Sequence, residues 1–143
     1  MSERHSWCKK QIDENTYLFE ETDYFTVQLK KLEKDGGTLD AVVLDNLIHS
    51  YVDLKDPLHL QYGYERIKAE LVAWHAASKP EFRALIIGGG GYTFPHYLEV
   101  KYPKARIDVI EIDRVSPRLR TSTWVFRPRP GFAPSTTTPA GSS

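Results

Sequence analysis

At 143 residues the chain has room for one ordinary domain and not for two full ones. A hydrophobic content of 41% with 12% aromatics supports a packed core, yet no window approaches the roughly 18 consecutive apolar residues of a membrane span, so a soluble protein is expected. The basic and acidic residues cancel overall, but every acid lies at or before Asp113; that net acidic body offers no basic face for nucleic acid and suits a cationic small molecule better.

The N-terminus, MSERHSWCKKQIDEN, is charged throughout and lacks the apolar stretch of a secretory signal, which makes the cytoplasm the expected compartment. The single cysteine, Cys8, excludes an internal disulfide and reads most simply as an inert surface thiol. From Thr16 to Val52 the segments TYLFEE, YFTVQLKKL, TLDAVVLD and LIHSYVD alternate and are rich in β-branched and aromatic residues. The Asp-Gly-Gly of EKDGG is a strong hairpin signal between two of them, so an antiparallel sheet of three or four strands is expected.

The period then changes. YGYERIKAELVAWHAA places Tyr64, Ile67, Leu71, Trp74 and His75 at helical spacing, which predicts an amphipathic helix burying that face. RALII reads as a short buried strand, YTFPHYLEVKYP as a helix with Pro95 in its first turn, and ARIDVIEID as a second buried strand. Strand, helix and strand in this order form a βαβ unit, the opening of a doubly wound sheet. From Arg114 onward the chain has no acid and is rich in Pro, Ser, Thr and Arg, a composition expected to stay disordered. The expected organisation is therefore α/β: an N-terminal β subdomain over 1–55, a partial Rossmann-like nucleoside-binding domain over 56–113, and a tail over 114–143. Two parallel strands cannot cover both their faces, so a further partner or segment is expected.

A strand that runs into a helix through Gly88, Gly89, Gly90 and Gly91 brings backbone N–H groups and a helix N-terminus to a ligand with no Cβ in the way. The alternative is a plain tight turn. The stretch lacks the Gly-Lys-Ser/Thr of a phosphate loop, and Thr93 stands where a dinucleotide fingerprint wants a small residue. Glu111 and Asp113, at the end of the next strand, are spaced to accept hydrogen bonds from ribose hydroxyls, or else lie on a solvated strand end. His49 and His59 read as loop histidines, and no Cys, His or Asp cluster has metal spacing. Tyr92, Phe94 and Tyr97 read as packing residues.

The segments VVLDNLIHSYVDLKDPLHLQYGYERI and ALIIGGGGYTFPHYLEVKYPKARIDVIEID resemble the spermidine/spermine synthase family of polyamine aminopropyltransferases, over about residues 15 to 113. The resemblance implies the fold of S-adenosylmethionine-dependent methyltransferases and transfer of an aminopropyl group from decarboxylated S-adenosylmethionine to a polyamine. It implies no tightly bound cofactor. Decarboxylated S-adenosylmethionine or methylthioadenosine is the ligand, with Gly88 to Gly90 against it and Glu111 on the ribose. Tyr64 and Glu65 fall in the motif that lines the amine pocket, with Tyr62 as the other register for the tyrosine.

Two departures stand out: Gly91 replaces an Asp that faces the sulfonium and its propylamine arm, and His49 replaces a usual Gln. The family's third- and fourth-strand segment, with its base and Asp-rich loop, has no counterpart, which makes the chain look like a C-terminally truncated member, inactive alone. The alternatives are a non-catalytic module whose β subdomain pairs with a full-length homologue, as in a homodimer, and a methyltransferase-like protein using ordinary S-adenosylmethionine.

Overall fold

The computed structural model describes residues 13–111, so the tail over 114–143, Asp113 and Cys8 lie outside the described residues. Four strands, β1 (Thr16–Glu21), β2 (Thr26–Lys34), β3 (Gly37–Leu44) and β4 (Leu47–Val52), form an antiparallel sheet in sequential order. The hairpin signal is met where it was expected. Asp35 and Gly36 carry φ of 50° and 82° between the paired Lys34 and Gly37, the positive-φ pair that matches the twist of its strands. Val27, Leu29, Val42 and Val52 make the core of one sheet face, against which Leu18, Phe25 and Leu44 pack.

The ladder between β3 and β4 has one irregularity. Ile48 pairs with Val43 and Ser50 with Val42, so His49 is the extra residue of a bulge in β4. Neighbours on a regular strand face opposite sides, and a bulge re-aims them.

After β4 come α1 (Gly63–Ser78), β5 (Arg83–Ile87), α2 (Thr93–Lys101) and β6 (Arg106–Ile110). β5 and β6 pair in parallel, Ala84 with Ile107 and Ile86 with Val109, which is the β-α-β unit read from the sequence. Those four residues join Phe82, Tyr92 and Leu98 in a second core, which Val72 and Ala76 of α1 pack against. Leu98 is 1% exposed, and a side chain of that kind costs about 2–5 kcal/mol when cut back to alanine.

The predicted burial fails in two places. α1 does not bury the stripe of Tyr64, Ile67, Leu71 and Trp74; all four are exposed, Trp74 at 80%. Buried or packed instead are Glu65, Ala69, Val72 and Ala76, themselves at helical spacing. The large apolar side chains of α1 therefore project away from the second core, on which Val72 and Ala76 pack. β5 is likewise half-buried rather than buried, because Leu85 and Ile87 point to a side that no described element covers, and Ile87 is 83% exposed. His75 is exposed, with its ring edge-on to Phe82 at 6.0 Å. Among the described residues no helix is long and apolar enough to cross a membrane.

Candidate functional site

The glycine loop follows β5 at the carboxyl end of the parallel pair, where the Gly88 N–H donates to the Ile110 carbonyl at 2.8 Å and so continues the ladder. Gly88 then turns at φ 82°, Gly90 at φ 53°, and Tyr92 enters α2 at φ 57°. The first two conformations strain any residue with a Cβ. Gly91 is glycine for a different reason: a Cβ there would fall onto the Ser50 hydroxyl and come within 2.9 Å of Val42 Cγ2. Beside it, the Thr93 hydroxyl donates to the Tyr51 carbonyl at 3.0 Å. The loop therefore rests on the face of the antiparallel sheet that carries Val42 and Ser50. Tyr92 is buried with its ring over Gly89, a packing role as expected.

Between this loop, β4 and α1 lies a cavity of about 290 Å³. Of the residues singled out in the sequence, Gly88 to Gly91, His49, Tyr64 and Glu65 line it. The bulge explains how the adjacent His49 and Ser50 both reach it. Tyr62 is not among its lining residues. Its hydroxyl donates to the Ile48 carbonyl at 3.2 Å, and its ring stacks on Tyr64 at 5.4 Å, so Tyr62 ties α1 to β4 while Tyr64 faces the cavity.

Glu111 lies behind the loop. Its Oε2 accepts the Gly89 N–H at 2.6 Å, a charge-assisted bond that binds the end of β6 to the loop. Contributors to the site that were not foreseen include Ser50, Lys68, Thr93 and Phe94. Lys68 could have been found, since it stands one helical turn beyond Tyr64 and Glu65. Ser50 could not, because its place depends on the bulge.

Glu65 is 4% exposed, and its Oε2 has no hydrogen-bond partner. It occupies the third position of α1 and accepts from the backbone of Tyr62, the N-cap, as in half of a capping box. Desolvation raises its pKa, against lowering by that hydrogen bond and by the charge of Lys68. Below the ordinary carboxylate range both folded and unfolded chains are protonated there, with no penalty. As pH rises the unfolded chain ionises first, so stability falls through the interval up to the raised folded value. Glu65→Gln is therefore expected to raise Tm relative to wild type more at pH 8 than at pH 4. The same difference at both values would refute the buried-acid account. Elsewhere the acid is structural: Asp53 accepts from Lys55 N, Asp56 N and the His59 ring in the loop before α1, and the His59 hydrogen bond leads in lowering its pKa. Among the described residues no group of three or more His, Cys, Asp or Glu is placed to hold a metal.

A strand, a glycine turn and a helix beside a cavity, with an acid at the end of the next parallel strand, make this a mixed α/β fold with a candidate ligand site at the carboxyl end of its parallel pair. Comparison with known proteins narrows this. Over 76 residues, 53% of this chain, the sequence is 32% identical to the polyamine aminopropyltransferase of Vibrio vulnificus (strain CMCP6), of which the match spans 25%. The fold matches the crystal structure of a probable spermidine synthase from Corynebacterium glutamicum ATCC 13032 with a TM-score of 0.65 and 22% identity, covering 79% of this chain and 41% of that one. The chain is thus similar to polyamine aminopropyltransferases in sequence and to a spermidine synthase in fold, as the resemblance implied. No family model matches it.

Proposed function

We propose that this chain binds an S-adenosyl-type nucleoside in the manner of the polyamine aminopropyltransferases, as part of a methyltransferase-like Rossmann arrangement over residues 56–113. The observation that carries this is the bond from Gly89 N–H to Glu111, which holds the glycine loop and the acid at the end of β6 as one unit beside the cavity. A carboxylate has about four acceptor sites, so Glu111 can hold Gly89 and a ribose hydroxyl together. The ligand's tail then enters the cavity towards Tyr64 and Glu65, the side where the family resemblance puts the polyamine.

A second reading, a methyltransferase-like protein using ordinary S-adenosylmethionine, is favoured by position 91. The family's sulfonium-facing acid is absent there, and the Ser50 hydroxyl fills the place a side chain would need. Isothermal titration with methylthioadenosine, which carries the nucleoside and no charged tail, tests what the two readings share. Binding with one site per chain is expected. No binding to a chain that is folded by circular dichroism would favour a pairing module built on the antiparallel sheet, which sedimentation would show as a dimer.

A further inference from the structure

The cavity holds one acid and one lysine, and they are neighbours on α1. Glu65 and Lys68 are three residues apart, so both project from the same side of the helix. They do not satisfy one another: Glu65 Oε2 has no hydrogen-bond partner, while Lys68 Nζ stands 4.9 Å from the Tyr64 ring centroid and 5.7 Å from that of Phe94. Those two rings come from α1 and from the first turn of α2, so the ammonium is held across the cavity between the two helices. Buried acceptors without partners are rare in folded chains, because the lost hydration is not replaced. Glu65 lines the cavity and carries this unpartnered oxygen, so its carboxylate is the candidate acceptor there for a donor brought in by a ligand.

We propose that the cavity takes the zwitterionic α-amino-acid tail of an S-adenosyl compound, its ammonium on Glu65 and its carboxylate on Lys68. This rests on the proposed nucleoside binding and departs from the family on the donor. A decarboxylated ligand presents only a cation, which satisfies Glu65 but meets Lys68 with like charge. A polyamine presents several. An α-amino acid carries both charges on one carbon, matching an acid and a base three residues apart on a helix. The N-terminus of α2, which contributes Thr93 and Phe94 to the same cavity, adds a positive potential on the carboxylate's side. The absence of a carboxylate at Gly91 agrees with this, since an acid in the loop would repel the tail that Lys68 attracts.

The test is isothermal titration of the 143-residue chain with methylthioadenosine, S-adenosylhomocysteine and decarboxylated S-adenosylmethionine. The first lacks the tail, the second carries the zwitterion, and the third carries the tail ammonium without the carboxylate, beside a sulfonium. S-adenosylhomocysteine is expected to bind at least about tenfold more tightly than methylthioadenosine, the scale of one hydrogen bond to a charged group. It should also bind more tightly than the decarboxylated compound. Lys68→Met, which keeps a flexible apolar stem against Tyr64 and Phe94, should collapse the ratio between S-adenosylhomocysteine and methylthioadenosine to near one. Methylthioadenosine binding as tightly as S-adenosylhomocysteine, or the decarboxylated compound binding best, would overturn the zwitterion proposal and leave the nucleoside reading standing. Failure of all three to bind a folded chain would remove both. An unchanged ratio in Lys68→Met would assign the preference elsewhere and overturn the role of Lys68.

Discussion

Gly91→Ala is expected to lower the free energy of unfolding by about 1–3 kcal/mol, the usual cost of forcing extra volume into a packed site, and Gly91→Asp by more. The position is buried between two elements. A Cβ there meets the Ser50 hydroxyl and then Val42 Cγ2 at 2.9 Å, and both belong to strands of the antiparallel sheet whose core is already filled. An aspartate adds a carboxylate, which burial would leave without hydration. The substitution is also the one that would place here the acid that the resemblance to the aminopropyltransferases implies, and it is expected to damage the contact that holds this loop in place. Denaturant unfolding measures the cost. Ser50→Gly should be mild alone and should recover most of the loss in the Gly91→Ala background, because it clears the atom that the new methyl strikes. A double-mutant cycle showing no coupling, or Gly91→Asp as stable as wild type, would show that the loop and the sheet do not meet through this pair.

A coupling of this kind has no local signature in the sequence. The four antiparallel strands and both helices were legible because each is specified locally, by alternation, by the Asp35–Gly36 turn and by helical spacing. The burial of α1 was not. Its apolar stripe of Ile67, Leu71 and Trp74 has the right period for a core face, yet Val72 and Ala76 make the contact and Ala69 is buried. Periodicity finds an apolar face, but it does not say that this face is the one used among residues 13–111. The glycines carried a similar ambiguity. Gly88 and Gly90 are required by backbone conformation, which a strand-to-helix turn predicts. Gly91 is required by Ser50, forty-one positions earlier in the sequence, and no local pattern contains that fact. The tyrosine register was open for the same reason: Tyr62 is held by the Ile48 carbonyl of β4 while Tyr64 lines the cavity, and neither contact is visible in the local pattern.

Glu111→Gln is expected to weaken methylthioadenosine binding by roughly tenfold or more, because a hydrogen bond to a charged group is worth about 1.5–3 kcal/mol and a neutral amide retains only part of it. The sequence alone suggests that the fold would barely notice this change. The structure alters that expectation, for the Glu111 carboxylate holds the Gly89 N–H at 2.6 Å and so has a part in the loop's shape. Two substitutions separate the parts. Glutamine keeps an acceptor oxygen within reach of Gly89, so the loop bond survives in a weaker neutral form and the loss of stability should be small. Alanine removes the acceptor and leaves a part-buried backbone donor without its partner, which costs about 1–3 kcal/mol. The expected order is therefore a large binding loss with a small stability loss in Glu111→Gln, and losses of both in Glu111→Ala, where the loop that forms the site is itself loosened. Slower amide exchange at Gly89 in wild type and Glu111→Gln than in Glu111→Ala would confirm the loop bond independently of any ligand. If wild type and Glu111→Gln bind methylthioadenosine equally while Glu111→Ala is destabilised, Glu111 is a loop clamp that never touches the ribose. The nucleoside would then have to be held by the glycine loop and the cavity without it.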